Sequence, residues 1–293
     1  MSNFDPNWLD SQYDNLARIP DQAGHLAGWA AASRLAREGG GQYDIAYGAT
    51  AAERLDLFPA ASSTAPVLVF IHGGWWRKLD KGDFSFVAPV FNAAGATVVV
   101  PDYALCPAVT IEQITWQMLH ALAWVWRHVA RGDGRRIVVA GHSAGAHLAA
   151  MLLSCRWKQV DEALPAHLVS AALAISGVYD LEPLRHTTFL QPDLRLDPAS
   201  VRRLSPAFFP RPKGKLQACV GALESEEFLR QNQLIRDVWG PTAVPVCERI
   251  AGKHHLNVLQ SLVDPAGRLH ALALQLLDLR RAASPVAMAG IEA

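Results

Sequence analysis

One stretch of the chain restricts its fold more than any other, because an apolar run leads directly into a glycine-flanked serine. Residues 136–140 read Arg-Ile-Val-Val-Ala, a pattern typical of a buried strand. The motif Gly-His-Ser-Ala-Gly follows at 141–145. Residues 144–154 are rich in alanine and leucine, which favour a helix. The sequence therefore predicts a strand, a tight turn at Ser143 and a helix.

Alternating strand and helix patterns extend over most of the remaining chain. The strands are marked by continuous apolar and β-branched runs, which are typical of parallel strands covered on both faces. Predicted strands lie at residues 66–71, 96–100, 136–140, 169–175, 215–220 and 245–250. Predicted helices lie at residues 82–94, 110–130, 144–154, 225–238 and 256–281. This order predicts an α/β fold with a mostly parallel central sheet and helices on both faces.

Two regions depart from this alternation. Residues 1–40 are predicted as a helical segment that precedes a strand pair around 43–58. Residues 181–213 contain six prolines and only a short helical run near 198–204, so they are predicted as a small cap-like insertion over the sheet edge. Because no shift in composition divides the chain, residues 1–293 are predicted to form a single domain.

Charge and composition narrow the classes of partner. Lys plus Arg number 27 and Asp plus Glu number 27, so we expect neither a nucleic-acid nor a membrane partner. A small-molecule substrate fits a neutral chain better, and a homodimer is left open. The first six residues lack a secretory pattern, which makes the cytoplasm the expected compartment. No apolar stretch is long enough to predict a transmembrane helix.

The cysteine and histidine patterns predict no metal site. Four cysteines are scattered through the sequence without a Cys-x-x-Cys pair, and no His-Glu-x-x-His motif occurs. We expect free and mostly buried thiols, and no cofactor.

Ser143 is the predicted nucleophile. A Gly-x-Ser-x-Gly motif between a strand and a helix is typical of a nucleophile elbow, in which the serine occupies a strained backbone conformation. Side chains at Gly141 or Gly145 are expected to collide with neighbouring backbone. The helix beginning at Ala144 directs its positive N-terminal dipole towards developing negative charge. The alternative is an ordinary glycine-rich turn.

The sequence His-Gly-Gly-Trp-Trp at 72–76 follows another predicted strand, where a flexible backbone can approach a substrate. Amides of Gly74, Trp75 and Ala144 are predicted to form an oxyanion hole. The alternative is a Gly-Gly turn beside a buried pair of aromatic side chains.

A serine nucleophile needs a histidine to accept its proton and a carboxylate to orient that histidine. The acid is expected just after the strand at 215–220. Glu224 lies in the predicted turn there, whereas Glu226 and Glu227 begin the next helix and favour its dipole.

The base is expected after the strand at 245–250, where His254 and His255 begin the last helix. The residue pattern leaves both histidines open.

With these motifs in place, the sequence resembles the kynurenine formamidase (arylformamidase) family of the α/β-hydrolase fold. The similar segments span most of the chain and lie at residues 13–20, 43–48, 72–76, 101–103, 141–145 and 176–181. His-Gly-Gly-x-Trp is the most specific of them, since related hydrolases more often have a third glycine where this chain has Trp75. The resemblance implies an α/β-hydrolase fold and hydrolysis of an aryl N-formyl amide such as N-formylkynurenine.

The resemblance also implies which histidine is the base. In this family the histidine precedes a hydrophobic and then a short polar residue, as in His255-Leu256-Asn257, which favours His255 over His254. The family usually has aspartate where this chain has Glu224. Glu226 therefore remains the fallback for the acid.

The aromatic side chains of Trp75, Trp76, Tyr103 and Tyr179, together with the segment 181–213, are predicted to line a substrate pocket. Their alternative role is core or rim packing. The runner-up function is a carboxylesterase for small acyl or aryl esters that uses the same residues. A non-catalytic ligand receptor on the same fold is the remaining alternative.

Overall fold

The computed structural model describes residues 4–130 and 134–279. Its centre is an eight-stranded sheet with strand order β1-β2-β4-β3-β5-β6-β7-β8. The strands are β1 (Gln42–Ala46), β2 (Arg54–Phe58), β3 (Val67–Ile71), β4 (Thr97–Pro101), β5 (Ile137–His142), β6 (Ala171–Ile175), β7 (Lys215–Gly221) and β8 (Val246–Ile250). β3 to β8 are parallel, and β2 pairs antiparallel with both β1 and β4. The predicted mostly parallel sheet is confirmed.

The helices flank this sheet. They are α1 (Pro6–Tyr13), α2 (Gln22–Glu38), α3 (Ala88–Ala93), α4 (Ile111–His128), α5 (Ala144–Leu153), α6 (Trp157–Val160), α7 (Gln191–Leu194), α8 (Pro198–Leu204), α9 (Glu226–Ala243), α10 (Gln260–Val263) and α11 (Arg268–Leu277). Within the two described ranges, no helix has both the length and the apolar character needed to cross a bilayer.

The apolar residues of each central strand divide between two cores. In β3, Val67, Val69 and Ile71 join the core shared with α4, α5 and α9, whereas Leu68 and Phe70 join the core shared with α3 and α11. This period of two follows from the alternation of side chains across a strand. Helices therefore cover both faces of the sheet, as predicted.

Two predicted helices are interrupted. The helix predicted at 82–94 is a 3₁₀ turn over Lys81–Val87 followed by α3. The helix predicted at 256–281 is a 3₁₀ turn followed by α10 and α11, and its predicted end lies outside the described residues. The break around Pro265 follows from local hydrogen bonds, because Asp264 accepts from the amides of Ala266 and Gly267.

The N-terminal segment is attached to the rest of the molecule by buried polar contacts. The Tyr13 hydroxyl at the end of α1 donates to Glu227 Oε2 at 2.6 Å, on α9. Ser33 Oγ on α2 donates to the carbonyl of Asp83 at 2.9 Å. These contacts hold α1 and α2 against α9 and the 3₁₀ turn at Lys81–Val87.

The proline-rich segment 181–213 contains two 3₁₀ turns together with α7 and α8. Arg77 attaches it to the loop after β3, since its guanidinium contacts Asp193 at 2.5 Å and donates to the carbonyl of Phe189 at 2.8 Å. Leu190 and Leu194 are buried in the core. The segment is thus packed closely onto the domain.

Candidate active site

Ser143 lies in the turn between β5 and α5 with φ 56° and ψ −117°, a backbone conformation that non-glycine residues rarely adopt. Its amide donates to the carbonyl of Ile175 on β6 at 2.8 Å, which anchors the turn to the neighbouring strand. A Cβ at Gly141 would lie 2.1 Å from the carbonyl oxygen of Gly145. A Cβ at Gly145 would lie 2.0 Å from that of Ile71. The predicted strained turn and its need for both glycines are confirmed.

We expect Gly145→Ala to destabilise the protein by about 3 kcal/mol, because its Cβ would meet rigid backbone rather than a movable side chain. The control is Gly28→Ala in α2, where no atom lies within 4 Å of the added Cβ. Removing a helical glycine there should stabilise by up to about 1 kcal/mol. Urea unfolding of both variants measures the difference, and equal small effects would contradict the steric account.

The structure brings His255 and Glu224 into direct contact. His255 Nδ1 donates to Glu224 Oε2 at 2.6 Å. The other carboxylate oxygen, Oε1, accepts from Ser176 Oγ at 2.5 Å and from the Gly221 amide at 2.7 Å. Both side chains are more than nine-tenths buried, so the carboxylate is held in one orientation. Because Nδ1 is engaged, Nε2 is the ring nitrogen left for Ser143, which lines the same cavity.

The alternative acids lie elsewhere. Glu226 is exposed, and Glu227 is bound by Tyr13 and Arg230. Ser176 and the Gly221 amide, which fix the Glu224 carboxylate, are partners that the sequence reading missed. Their positions at the ends of β6 and β7 are the signal that could have found them, since parallel strands place their carboxyl ends at one edge.

His254 supports the adjacent turn instead of the carboxylate. Its Nδ1 accepts from the amides of Leu256 and Asn257 at 3.2 and 3.3 Å, and its own amide donates to Asn257 Oδ1 at 2.6 Å. Its ring packs edge-on against His25 at 4.9 Å between centroids. Of the two histidines that the residue pattern left open, the structure places His255 beside Glu224.

The loop after β3 forms another wall of the cavity that Ser143 and His255 line. Gly74 has φ 106°, and a Cβ there would lie 2.0 Å from the carbonyl oxygen of Lys78. Trp75 and Trp76 continue the loop with φ 53° and 56°. Gly74 and Trp75 line the cavity beside Ser143, and Ala144 opens α5 immediately after it. The three predicted oxyanion residues are therefore grouped around Ser143.

A buried clamp holds this loop in place. The Tyr103 hydroxyl donates to the carbonyl of His72 at 3.0 Å, and the two rings stack with centroids 4.2 Å apart. His72 Nδ1 in turn donates to the carbonyl of Gly73 at 2.7 Å. The Tyr103 hydroxyl thus helps to hold the backbone of this loop in one orientation.

The prediction that Trp76, Tyr103 and Tyr179 bind substrate needs correction. All three side chains are at most 2% exposed, and none lines the cavity at Ser143. Trp76 packs edge-on against His147, and the Tyr103 hydroxyl is used by backbone carbonyls. The segment 181–213 contributes nothing to that cavity either. An aromatic side chain can pack in a core as well as line a pocket. Here all three side chains lie in the hydrophobic core.

The cavity is instead closed by the N-terminal segment and by the turns after β3 and β8. It measures about 80 Å³, and its other walls include two polar residues, Asn15 and Lys78. The pKa of the Lys78 ammonium is lowered, mainly by burial and also by the nearby positive charge of Arg77. The apolar walls are formed by Leu16, Leu26, Trp29, Leu79, Phe84 and Leu256. An open groove of about 440 Å³ also borders Asn15 and His255 and is lined in addition by Arg18 and His254.

Two further histidines flank Ser143 along the chain. His142 Nε2 donates to the carbonyl of His255 at 2.8 Å, and His147 Nε2 donates to that of Leu204 at 2.7 Å. Burial lowers the pKa of His147 to about 4 and holds that of His142 well below its usual value. Both rings are therefore neutral near pH 7. Over residues 4–130 and 134–279, no cluster of three His, Cys, Asp or Glu side chains could hold a metal ion.

Comparison with known proteins agrees with this arrangement. A family model described as the alpha/beta hydrolase fold matches residues 68–227, more than half of the chain. The chain belongs to the α/β-hydrolase family. This hydrolase is 28% identical to the kynurenine formamidase of Danio rerio over 242 residues, covering 80% of this chain and 81% of that protein.

Two more relatives of this hydrolase extend the comparison. It is 36% identical over 157 residues to the kynurenine formamidase of Drosophila melanogaster, covering 52% of this chain and 51% of that one. A crystal structure of a provisionally named thioesterase from Silicibacter superposes with a TM-score of 0.79 at 31% identity, covering 90% of this chain and 97% of that one. The predicted fold, enzyme class and family resemblance are thus confirmed.

Proposed function

We propose that this hydrolase cleaves the formyl–nitrogen bond of aryl formamides, with N-formylkynurenine as the first substrate to test. The observation that carries the proposal is the Glu224–His255 pair beside Ser143 in a cavity of about 80 Å³. Two of the relatives described above are named kynurenine formamidase.

In the proposed acylation step, Ser143 Oγ attacks the formyl carbon while His255 Nε2 accepts the hydroxyl proton. The oxyanion that forms is held by amides of Gly74, Trp75 and Ala144. His255 then returns the proton to the leaving nitrogen, the carbon–nitrogen bond breaks, and the arylamine departs. The products of this step are the free amine and formyl-Ser143.

In the proposed deacylation step, His255 takes a proton from water, and the hydroxide attacks the formyl carbon. Collapse of this second intermediate releases formic acid, which ionises to formate, and His255 returns its proton to Ser143. Glu224 stabilises the imidazolium in both steps without itself becoming protonated. No cofactor enters this balance.

The size of the cavity supports a short acyl group. A cavity of about 80 Å³ is small, which favours a formyl or acetyl group over a long acyl chain. Trp29 is fixed in the cavity wall by packing against Phe84 and edge-on against His142. The open groove shares Asn15 and His255 with the cavity and offers room for a larger leaving group.

We also place the enzyme in the cytoplasm. Cys106, Cys155, Cys219 and Cys247 are all free thiols, as a reducing compartment would keep them.

The test is a substrate panel on the purified full-length protein, with N-formylkynurenine and the ester p-nitrophenyl acetate as the first pair. We expect formate release from the formamide with kcat/KM of about 10⁴ M⁻¹s⁻¹ or more. Ready hydrolysis of the ester with an untouched formamide would instead make the protein a carboxylesterase. Folded protein that turns over neither class would favour a ligand receptor.

A further inference from the structure

His142 is a buried imidazole beside Ser143 that the proton relay does not use. Its Nε2 lies 2.8 Å from the carbonyl oxygen of His255, and a carbonyl can only accept, so the ring proton resides on Nε2. In a neutral imidazole the other nitrogen, Nδ1, is then an acceptor with a free lone pair. Burial disfavours the charged ring and keeps its pKa well below the usual value. His142 is therefore an uncharged group with one fixed donor and one fixed acceptor.

The acceptor nitrogen lies beside Gly73, in the loop of the predicted oxyanion residues. A Cβ placed on Gly73 would be 3.3 Å from His142 Nδ1 and 3.1 Å from Ser143 Cβ, so both groups border the same point of the oxyanion loop. The side chain lines the cavity together with Ser143 and His255, and its ring centroid lies 4.7 Å from that of His255. Within residues 4–130 and 134–279, no donor is hydrogen-bonded to Nδ1.

We propose that His142 Nδ1 accepts a hydrogen bond from the N–H of the scissile amide, and that this contact makes the enzyme prefer amides over esters. The inference rests on the proposed amide hydrolysis. It adds a specificity-determining residue to that reaction.

The geometry of amide cleavage explains why this contact would speed the hydrolysis of amides and not of esters. For the leaving nitrogen to be protonated, its lone pair must turn towards His255 Nε2, and its N–H must then turn away. An acceptor that holds the N–H in this orientation binds the transition state more strongly than the planar ground state, so it raises kcat. An ester has no hydrogen at this position and gains nothing from the acceptor.

A purely structural role for His142 predicts a different result. The hydrogen bond from Nε2 to the His255 carbonyl also positions the base, and Trp29 packs edge-on against the ring. Losing that support would slow every substrate alike, because each depends on His255. The ratio of amide to ester activity therefore separates the two roles.

The experiment compares wild type, His142→Phe and His142→Gln on formanilide and phenyl formate, which differ only in the leaving atom. We expect His142→Phe to lower kcat/KM for formanilide by about 10- to 100-fold more than for phenyl formate, the size of one lost hydrogen bond in a buried site. His142→Gln should recover part of this difference, since its amide can both donate and accept. Circular dichroism and thermal unfolding establish that each variant is folded.

Equal losses on the two substrates would overturn the inference while leaving the proposed function intact. Wild type that cleaves phenyl formate but no formamide would overturn both. If His142→Phe does not fold, the proposal is tested on the wild type alone, by comparing its turnover of formanilide with that of N-methylformanilide, which lacks the N–H. Turnover of that compound as fast as formanilide would contradict the proposed contact.

Discussion

Ser143→Ala is expected to lower kcat for aryl formamide hydrolysis by about 10⁶-fold, the effect of removing the nucleophile from a serine triad. Alanine tolerates the φ of 56° as poorly as serine does, so the strain of the elbow is unchanged and the fold should persist. The residual rate comes from the oxyanion amides and substrate binding alone.

The matched control for this variant is Ser154→Ala at the end of α5. Ser154 Oγ donates to the carbonyl of Ala150, one turn back in its own helix. We expect near wild-type kcat and at most a small change in stability. Comparable losses in both variants would mean that the assay reports damage to α5 rather than removal of the nucleophile.

Glu224→Gln is expected to lower kcat by about 10⁴-fold with little loss of structure. Glutamine keeps the shape of the side chain, but it carries no charge to stabilise the imidazolium. Its NH₂ group can also face His255 Nδ1 and favour the wrong tautomer. The loss should appear in kcat more than in KM, because the charge matters most in the transition state.

Glu226→Gln is the control for the acid, since it makes the same chemical change two residues away on an exposed side chain. Steady-state kinetics on the same formamide should show nearly wild-type activity. Full activity in Glu224→Gln with loss in Glu226→Gln would transfer the role of the acid to Glu226.

The sheet and the elbow could be predicted because their signals are local. Strands such as β3 and β5 are buried on both faces, so their sequences are unbroken apolar runs. The turn at Ser143 requires glycines two residues before and after it, and this spacing is visible in the sequence. The positions of Glu224 and His255 could be predicted approximately, because each follows a parallel strand and these strands end at the same edge of the sheet.

The walls of the cavity could not be predicted in this way. Leu16, Leu26 and Trp29 lie more than a hundred residues before Ser143, and only tertiary packing brings them to it. The apolar pattern of α2 is equally consistent with any core-facing helix. The predictions for Trp76, Tyr103 and Tyr179 failed for the complementary reason, because an aromatic side chain suits a core as well as a binding site.

Active-site labelling tests the central claim, nucleophilic catalysis by Ser143, most directly. The folded protein is treated with a fluorophosphonate, and the adduct is located by peptide mass spectrometry in the absence and presence of N-formylkynurenine. The account predicts one adduct on Ser143, formed more slowly when N-formylkynurenine competes and absent from Ser143→Ala. Folded protein that stays unlabelled, or that is labelled on a different serine, would contradict it.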